Sequence, residues 1–147
     1  MQESQQPVEQ QALAKEFVFT GDSGAMIAAR DAIMHFLHDY CANEQEEIDI
    51  LLALQEALVN AVLHGCHNDP GQIVRCLVEV DPSAITIVVK DPGPGFNTAA
   101  SIDSGEDGTN LTEHGRGIQL MRSLMDELSY HHGGSEIHLK KLRGVQH

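Results

Sequence analysis

The sequence predicts an α+β two-layer sandwich, with helices on one face of an antiparallel or mixed sheet. Three observations carry that expectation. Residues 23–40 and 43–64 repeat apolar side chains at helical spacing. Residues 73–80 and 84–90 are β-rich and flank Asp81-Pro82, which reads as an antiparallel hairpin. A second pair of β-rich segments closes the chain around Gly133-Gly134. Helices laid on one sheet face are the economical way to bury both apolar surfaces. A chain of 147 residues suits one domain. A domain of that size buries about 68–70% of its unfolded surface and needs neither disulfide nor metal to fold.

The elements follow in order. Residues 1–14, rich in Gln and Glu, read as a solvated tail, and residues 15–147 as the domain. Residues 15–20 form a short edge strand ended by Gly21-Asp22. Ser23 is placed to cap a helix to about residue 40, with Met26, Ile27, Ile33, Met34 and Leu37 on one side. The second helix runs from about 43 to 64 and stops at Gly65, with Ile48, Leu51, Leu52, Leu58, Val59, Val62 and Leu63 at helical spacing. The hairpin follows. Residues 91–117 are rich in glycine and proline and read as a long, mobile loop, a kind usually functional or disordered in a compact domain. A third helix is expected over 118–128, then strands over 129–132 and 135–142. Met121 and Met125, four apart, read as core filling.

Composition narrows the function. Nine Lys+Arg against 22 Asp+Glu give a formal charge of −13. Phosphate contact needs a basic face, so the chain is not expected to bind nucleic acid. The same charge argues against an anionic membrane surface. Lys140, Lys141 and Arg143 are too few to form a basic patch. Three cysteines, Cys41, Cys66 and Cys76, contain no CxxC pair, which is no disulfide framework. No apolar run approaches 18 residues, and residues 1–11 lack the basic and apolar regions of a signal peptide, so a cytoplasmic location is expected.

Three short segments can carry chemistry. Glu56 and Asn60 are four apart on the second helix, with His64 a turn further on the same face. A carboxylate beside an amide can activate a hydroxyl or water next to a hard metal ion, and it can equally be a solvated stripe. The apolar surroundings (Leu51, Leu54, Leu58, Val62) require those polar groups to find a partner. Asp91-Pro92-Gly93-Pro94-Gly95-Phe96 follows directly on a strand. It suits a tight turn, and equally a flat ligand lying close to backbone beside a free carboxylate. Gly115-Arg116-Gly117-Ile118 is expected to open the third helix, where amides and dipole favour an anion. It lacks the strand–turn–helix context of a dinucleotide fold and the Gly-Lys-Ser/Thr of a P-loop. His64, Cys66 and His67 have no second ligand pair at metal-binding spacing and read as a helix end.

Taken in this order, Glu56-x-x-x-Asn60, Asp91-x-Gly93-x-Gly95-Phe96 and Gly115-x-Gly117-Ile118 resemble the N, G1 and G2 boxes of the Bergerat-type (histidine-kinase-like) ATPases. The resemblance spans about residues 17–142. Residues 55–65 (QEALVNAVLHG) and 115–128 (GRGIQLMRSLMDEL) look most similar to the anti-sigma-factor serine/threonine kinases.

The resemblance implies ATP and Mg²⁺ as cofactors. Asn60 would hold the Mg²⁺ that bridges the phosphates, and Glu56 would be the base that deprotonates a partner's serine. Asp91 would accept from the adenine amino group, with Gly93 and Gly95 giving the ring access. His64 and Phe96 fall within the same nucleotide site. Residues 97–114 would form the ATP lid, and the backbone of Gly115, Arg116, Gly117 and Ile118 would hold phosphate. Ser135 falls where such proteins often carry a threonine near adenine. Where some of these kinases carry an arginine, this chain has Glu113-His114, and Arg116 is the candidate positive charge. Implied partners are an anti-sigma-factor antagonist of the STAS type and a sigma factor, with the kinase a homodimer. Two other readings stay open. One is a non-catalytic, nucleotide-gated binding module, which would not need Glu56. The other is a detached histidine-kinase domain, for which the helix holding His35 and His38 is too short.

Overall fold

Along Ile73–Val80 the side chains alternate: Val74, Cys76, Val78 and Val80 are buried, while Ile73, Arg75 and Glu79 are exposed. One face of the strand therefore meets a core and the other meets solvent. The computed structural model that shows this describes residues 12–93 and 113–143. Residues 1–11, most of the expected tail, lie outside the described residues. So do residues 94–112, with Gly95, Phe96 and most of the expected lid.

The chain runs β1 (Leu13–Thr20), α1 (Ser23–Leu37), a 3-10 turn (His38–Tyr40) and α2 (Glu44–Asn60), which a π-helical turn (Ala61–Gly65) extends. Then come β2 (Ile73–Val80), β3 (Ala84–Lys90), α3 (Glu113–Leu124), β4 (Glu127–His131), a 3-10 turn (His132–Gly134) and β5 (Glu136–Leu142). The sheet order is β1-β2-β3-β5-β4 and every pairing is antiparallel, so the mixed alternative falls away. The register aligns the apolar faces: Cys76 opposes Phe17 and Val89, and Ile87 opposes Val78 and Leu139. Against that face lie Ile33 and Leu37 of α1, Ile50, Leu54 and Leu58 of α2, and Met121 of α3, all fully buried. Each such side chain contributes about 1.5–3 kcal/mol of apolar burial.

Several boundaries differ from expectation, each for a local reason. β1 starts at Leu13, because Leu13 and Ala14 pair with Val80 and Glu79. Asp22, not Ser23, caps α1: its carboxylate accepts from the Ala25 amide at 3.2 Å while the Thr20 hydroxyl holds it at 2.6 Å. α3 occupies Glu113–Leu124 rather than 118–128. Its expected last residues are captured by the sheet, where Glu127 and Leu128 pair with Lys140 and Leu139. Glu113 and His114, expected as the end of the lid, belong to α3, and Gly115–Ile118 lie inside that helix rather than before it. Ile27, Ile48, Leu52 and Leu63 are exposed, and Ala29, Ala53 and Ala57 fill the buried faces.

Two lysines on the inner sheet face are accommodated differently. Lys15, on edge strand β1, places its ammonium 5.2 Å from the Phe17 ring centroid and 5.6 Å from that of Phe36. An inward-facing charge on an edge also discourages unwanted strand pairing. Lys141, on β5, donates to the Leu124 carbonyl at 2.7 Å and lies 3.4 Å from Asp49, fastening the end of α3 to α2. By length and composition the helix Glu44–Gly65 could cross a membrane, yet its apolar face is spent on this core. Burial raises the Cys76 thiol to about 12 and the Cys41 thiol to about 11. Cys66 is raised by burial first and by the nearby Asp91 and Asp69 next.

Candidate functional site

The last turns of α2 carry the first group. Asn60 is buried, at 6% exposure, and its Nδ2 has no hydrogen-bond partner among the described residues. A buried amide left this way costs about 1–3 kcal/mol. Nδ2 is a donor, so such an atom in a native core asks for an acceptor such as a ligand oxygen. Glu56, one turn earlier, is only partly buried, which leaves a carboxylate at the surface beside a buried amide. His64 is exposed on the π turn.

Beyond Asn60 the helix changes its hydrogen bonding. The Cys66 amide donates to the Ala61 carbonyl at 2.9 Å, five residues back, and the Asn68 amide takes the Val62 carbonyl at 2.8 Å. Single π turns of this kind commonly mark functional sites. His67 and Asn68 then adopt positive φ of 54°, and the Asn68 side chain accepts from the Ser23 amide at 3.0 Å. The loop after α2 is thereby tied to the start of α1.

The end of β3 meets this turn. Asp91 is half-buried; its Oδ1 accepts from the Gly93 amide at 2.8 Å, and its own amide donates to the Ser135 carbonyl at 2.9 Å. Burial pushes the Asp91 carboxyl above its ordinary value, and the Gly93 N–H partly offsets this. One backbone partner leaves the carboxylate with acceptor capacity to spare. Gly65 and Gly93 pack directly against it. Ser135 sits on the neighbouring strand end, with its hydroxyl donating to the His132 carbonyl at 3.1 Å.

The structure therefore gathers Asn60, the π turn, Asp91, Gly93 and Ser135 at one end of the sheet. The Ile118 side chain is buried in the core, at 2% exposure. Gly115, Arg116 and Gly117 lie in α3, and the Arg116 side chain is outside the described residues. An α-helix beginning at Glu113 leaves open only its first-turn amides, so 117 and 118 fall where amides bond back along the helix. Among the described residues no three His, Cys, Asp or Glu side chains form a metal-holding group. The orphaned Asn60 Nδ2 donor suits a phosphate oxygen and the glycine-lined Asp91 acceptor suits an amino group, which together suit a nucleotide. Gly65 is the residue that sequence reasoning undervalued; its signal was a glycine five positions after Asn60, read only as a helix stop.

Residues 19–141 match the family described as histidine kinase-like ATPase domain. An anti-sigma F factor of Geobacillus thermodenitrificans (strain NG80-2) is 30% identical over 121 residues, covering 77% of this chain and 81% of that protein. One from Clostridium novyi (strain NT) is 30% identical over 118 residues, covering 77% and 82%. Another, from Clostridium botulinum (strain Alaska E43 / Type E3), is 28% identical over 131 residues, covering 86% and 90%. With the antiparallel sheet and three α-helices of its described residues and these matches, the chain belongs to the histidine kinase-like ATPase family, within its anti-sigma-factor subfamily.

Proposed function

We propose that this protein binds ATP with Mg²⁺ and phosphorylates a serine of a small STAS-type antagonist protein. It would do so as a cytoplasmic homodimer that also engages a sigma factor. The observation that supports the reading best is the buried, unpartnered Nδ2 donor of Asn60, suited to a phosphate oxygen, one helical turn from the partly exposed Glu56.

Mg²⁺ on the phosphates would neutralise the charge of the group being transferred. The side-chain oxygen of Asn60 would hold that ion, and its unpartnered Nδ2 would donate to a phosphate oxygen. Glu56 reaches the surface, where it can take the hydroxyl proton of an incoming serine. The half-buried Asp91 would accept from the adenine amino group, and Gly93 would leave room for the ring, with Gly95 a further candidate outside the described residues. The open first-turn amides of α3, Gly115 among them, would hold phosphate, and Arg116 is the candidate for added positive charge. Phe96, His64 and Ser135 complete the site.

Replacing Glu56 separates catalysis from binding. Glu56→Ala is expected to keep ATP affinity while serine phosphorylation falls by about 10²–10⁴-fold. The assay is phosphotransfer to a partner recovered from native lysate with Mg-ADP. A partner held equally in ADP and ATP, with no phosphoserine formed, would instead establish a nucleotide-gated binding module.

A further inference from the structure

We propose that Gly65 is a positioning residue for base recognition: lacking a side chain, it lets the end of the π turn close on Asp91 and so fixes that carboxylate for the amino group of adenine. The inference rests on the reading of Asp91 as the base-recognising acceptor, and it adds a residue and a device to that reading.

The geometry is specific. A Cβ built on Gly65 would lie 2.2 Å from Asp91 Cγ and 2.3 and 2.6 Å from its two oxygens. A Cβ on Gly93 would lie 2.7 Å from the Gly65 carbonyl oxygen and 2.8 Å from its Cα. Two backbone segments thus touch, with the carboxylate held between them. None of these distances is tolerable for real atoms.

Neither side can retreat cheaply. Asp91 is short and doubly tied, through Oδ1 to the Gly93 amide and through its own amide to the Ser135 carbonyl. Gly65 is held from behind by the π turn, whose Cys66 amide bonds to Ala61. Cys66 in turn abuts Gly21, where an added Cβ would meet its Cβ and Sγ at 2.5 Å. Asn68 ties the following loop to Ser23 at 3.0 Å. Gly65 and Gly93 therefore close on one carboxylate, and Gly21 backs the π turn through Cys66. A side chain at 65 must turn that carboxylate away from its present direction. Regular α-helical bonding would have paired Cys66 with Val62, so the extra residue in the π turn is part of the same device.

The experiment compares ATP with ITP, which has the same triphosphate but a carbonyl where adenine has its amino group. Binding of both is titrated to the full chain as wild type and as Gly65→Ala, Gly24→Ala and Asp91→Ala. Gly24→Ala is the control, since a Cβ there meets nothing closer than Asp22 at 3.6 Å. Wild type and Gly24→Ala are expected to prefer ATP by about tenfold or more, the worth of one unmet buried hydrogen bond. Gly65→Ala is expected to bring the ratio close to one, with ITP affinity within about twofold of wild type. An unchanged ratio in Gly65→Ala overturns the proposal, and so does a parallel loss of ATP and ITP. A wild type indifferent to the base would refute the reading of Asp91 itself, by a measurement in which Gly65 takes no part. If Gly65→Ala does not fold, Gly65→Ala/Asp91→Ala decides, because every short contact is to the carboxylate. Recovery of wild-type melting in the double variant supports the proposal, and its failure to fold overturns it.

Discussion

The middle and the end of α2 obey different rules. From Ile50 to Leu58 the helix is regular, and its inner face (Ile50, Ala53, Leu54, Ala57, Leu58) is buried against the sheet. From Asn60 to Asn68 the same chain carries an orphaned buried amide, a π turn, a glycine against a carboxylate and two residues at positive φ. The first stretch satisfies every local preference for folding, whereas the second violates several at once. Departures of this kind concentrate where a protein binds something, and the rest of the fold carries their cost. Regular packing and local irregularity are thus allotted to adjacent turns of one helix.

The contrast can be broken at its strongest point first. Leu54→Ala removes a fully buried side chain and is expected to destabilise by about 2–5 kcal/mol in chemical denaturation. ATP affinity per folded molecule should hardly change, and a large loss would show that the two stretches are not separable.

Asn60→Leu tests the other half. Replacing an unpartnered buried amide by an apolar side chain of similar size is expected to raise the stability of the ligand-free protein by about 1 kcal/mol. Mg²⁺-dependent ATP binding should be lost. A destabilised variant would mean that the amide serves the fold rather than a ligand.

The smallest effect sharpens the comparison through pH. The folded-state pKa of Asp91 is raised by burial, so the folded protein holds that proton more tightly than the unfolded chain. Stability of the ligand-free wild type relative to Asp91→Asn should therefore be greatest at acid pH. It should fall as pH rises from about 4 through the raised value. ATP affinity should move oppositely, strengthening as the carboxylate ionises, and the variant should flatten both trends. Denaturation and ATP titration over one pH series give the two slopes, and matching signs would exclude Asp91 as a ligand acceptor.

How far the sequence reaches follows the same division. The hairpin at Ile73–Val80 and Ala84–Lys90 was legible to the residue, because Asp81-Pro82 separates two β-rich runs. The inner face of α2 was not. A helix apolar on most sides has little phase, and the buried face is chosen by Ala53 and Ala57, small enough for close packing. The end of α3 depended on Leu128 pairing with Leu139, a contact that local periodicity does not contain. Within the site, Glu56, Asn60 and Asp91 could be named from motif spacing. The contact of Gly65 with Asp91 could not, since only the packing of α2 on β3 brings them together.

The cysteines carry a consequence of their own. Oxidants and alkylating agents react with thiolates. Burial holds Cys76 at about 12 and Cys41 at about 11, and Cys66 is raised with the carboxylates of Asp91 and Asp69 adding to burial. At neutral pH all three sulfurs are therefore spectators. The sulfur beside Asp91, that of Cys66, is thus kept in its less reactive, protonated form by the same burial that raises Asp91.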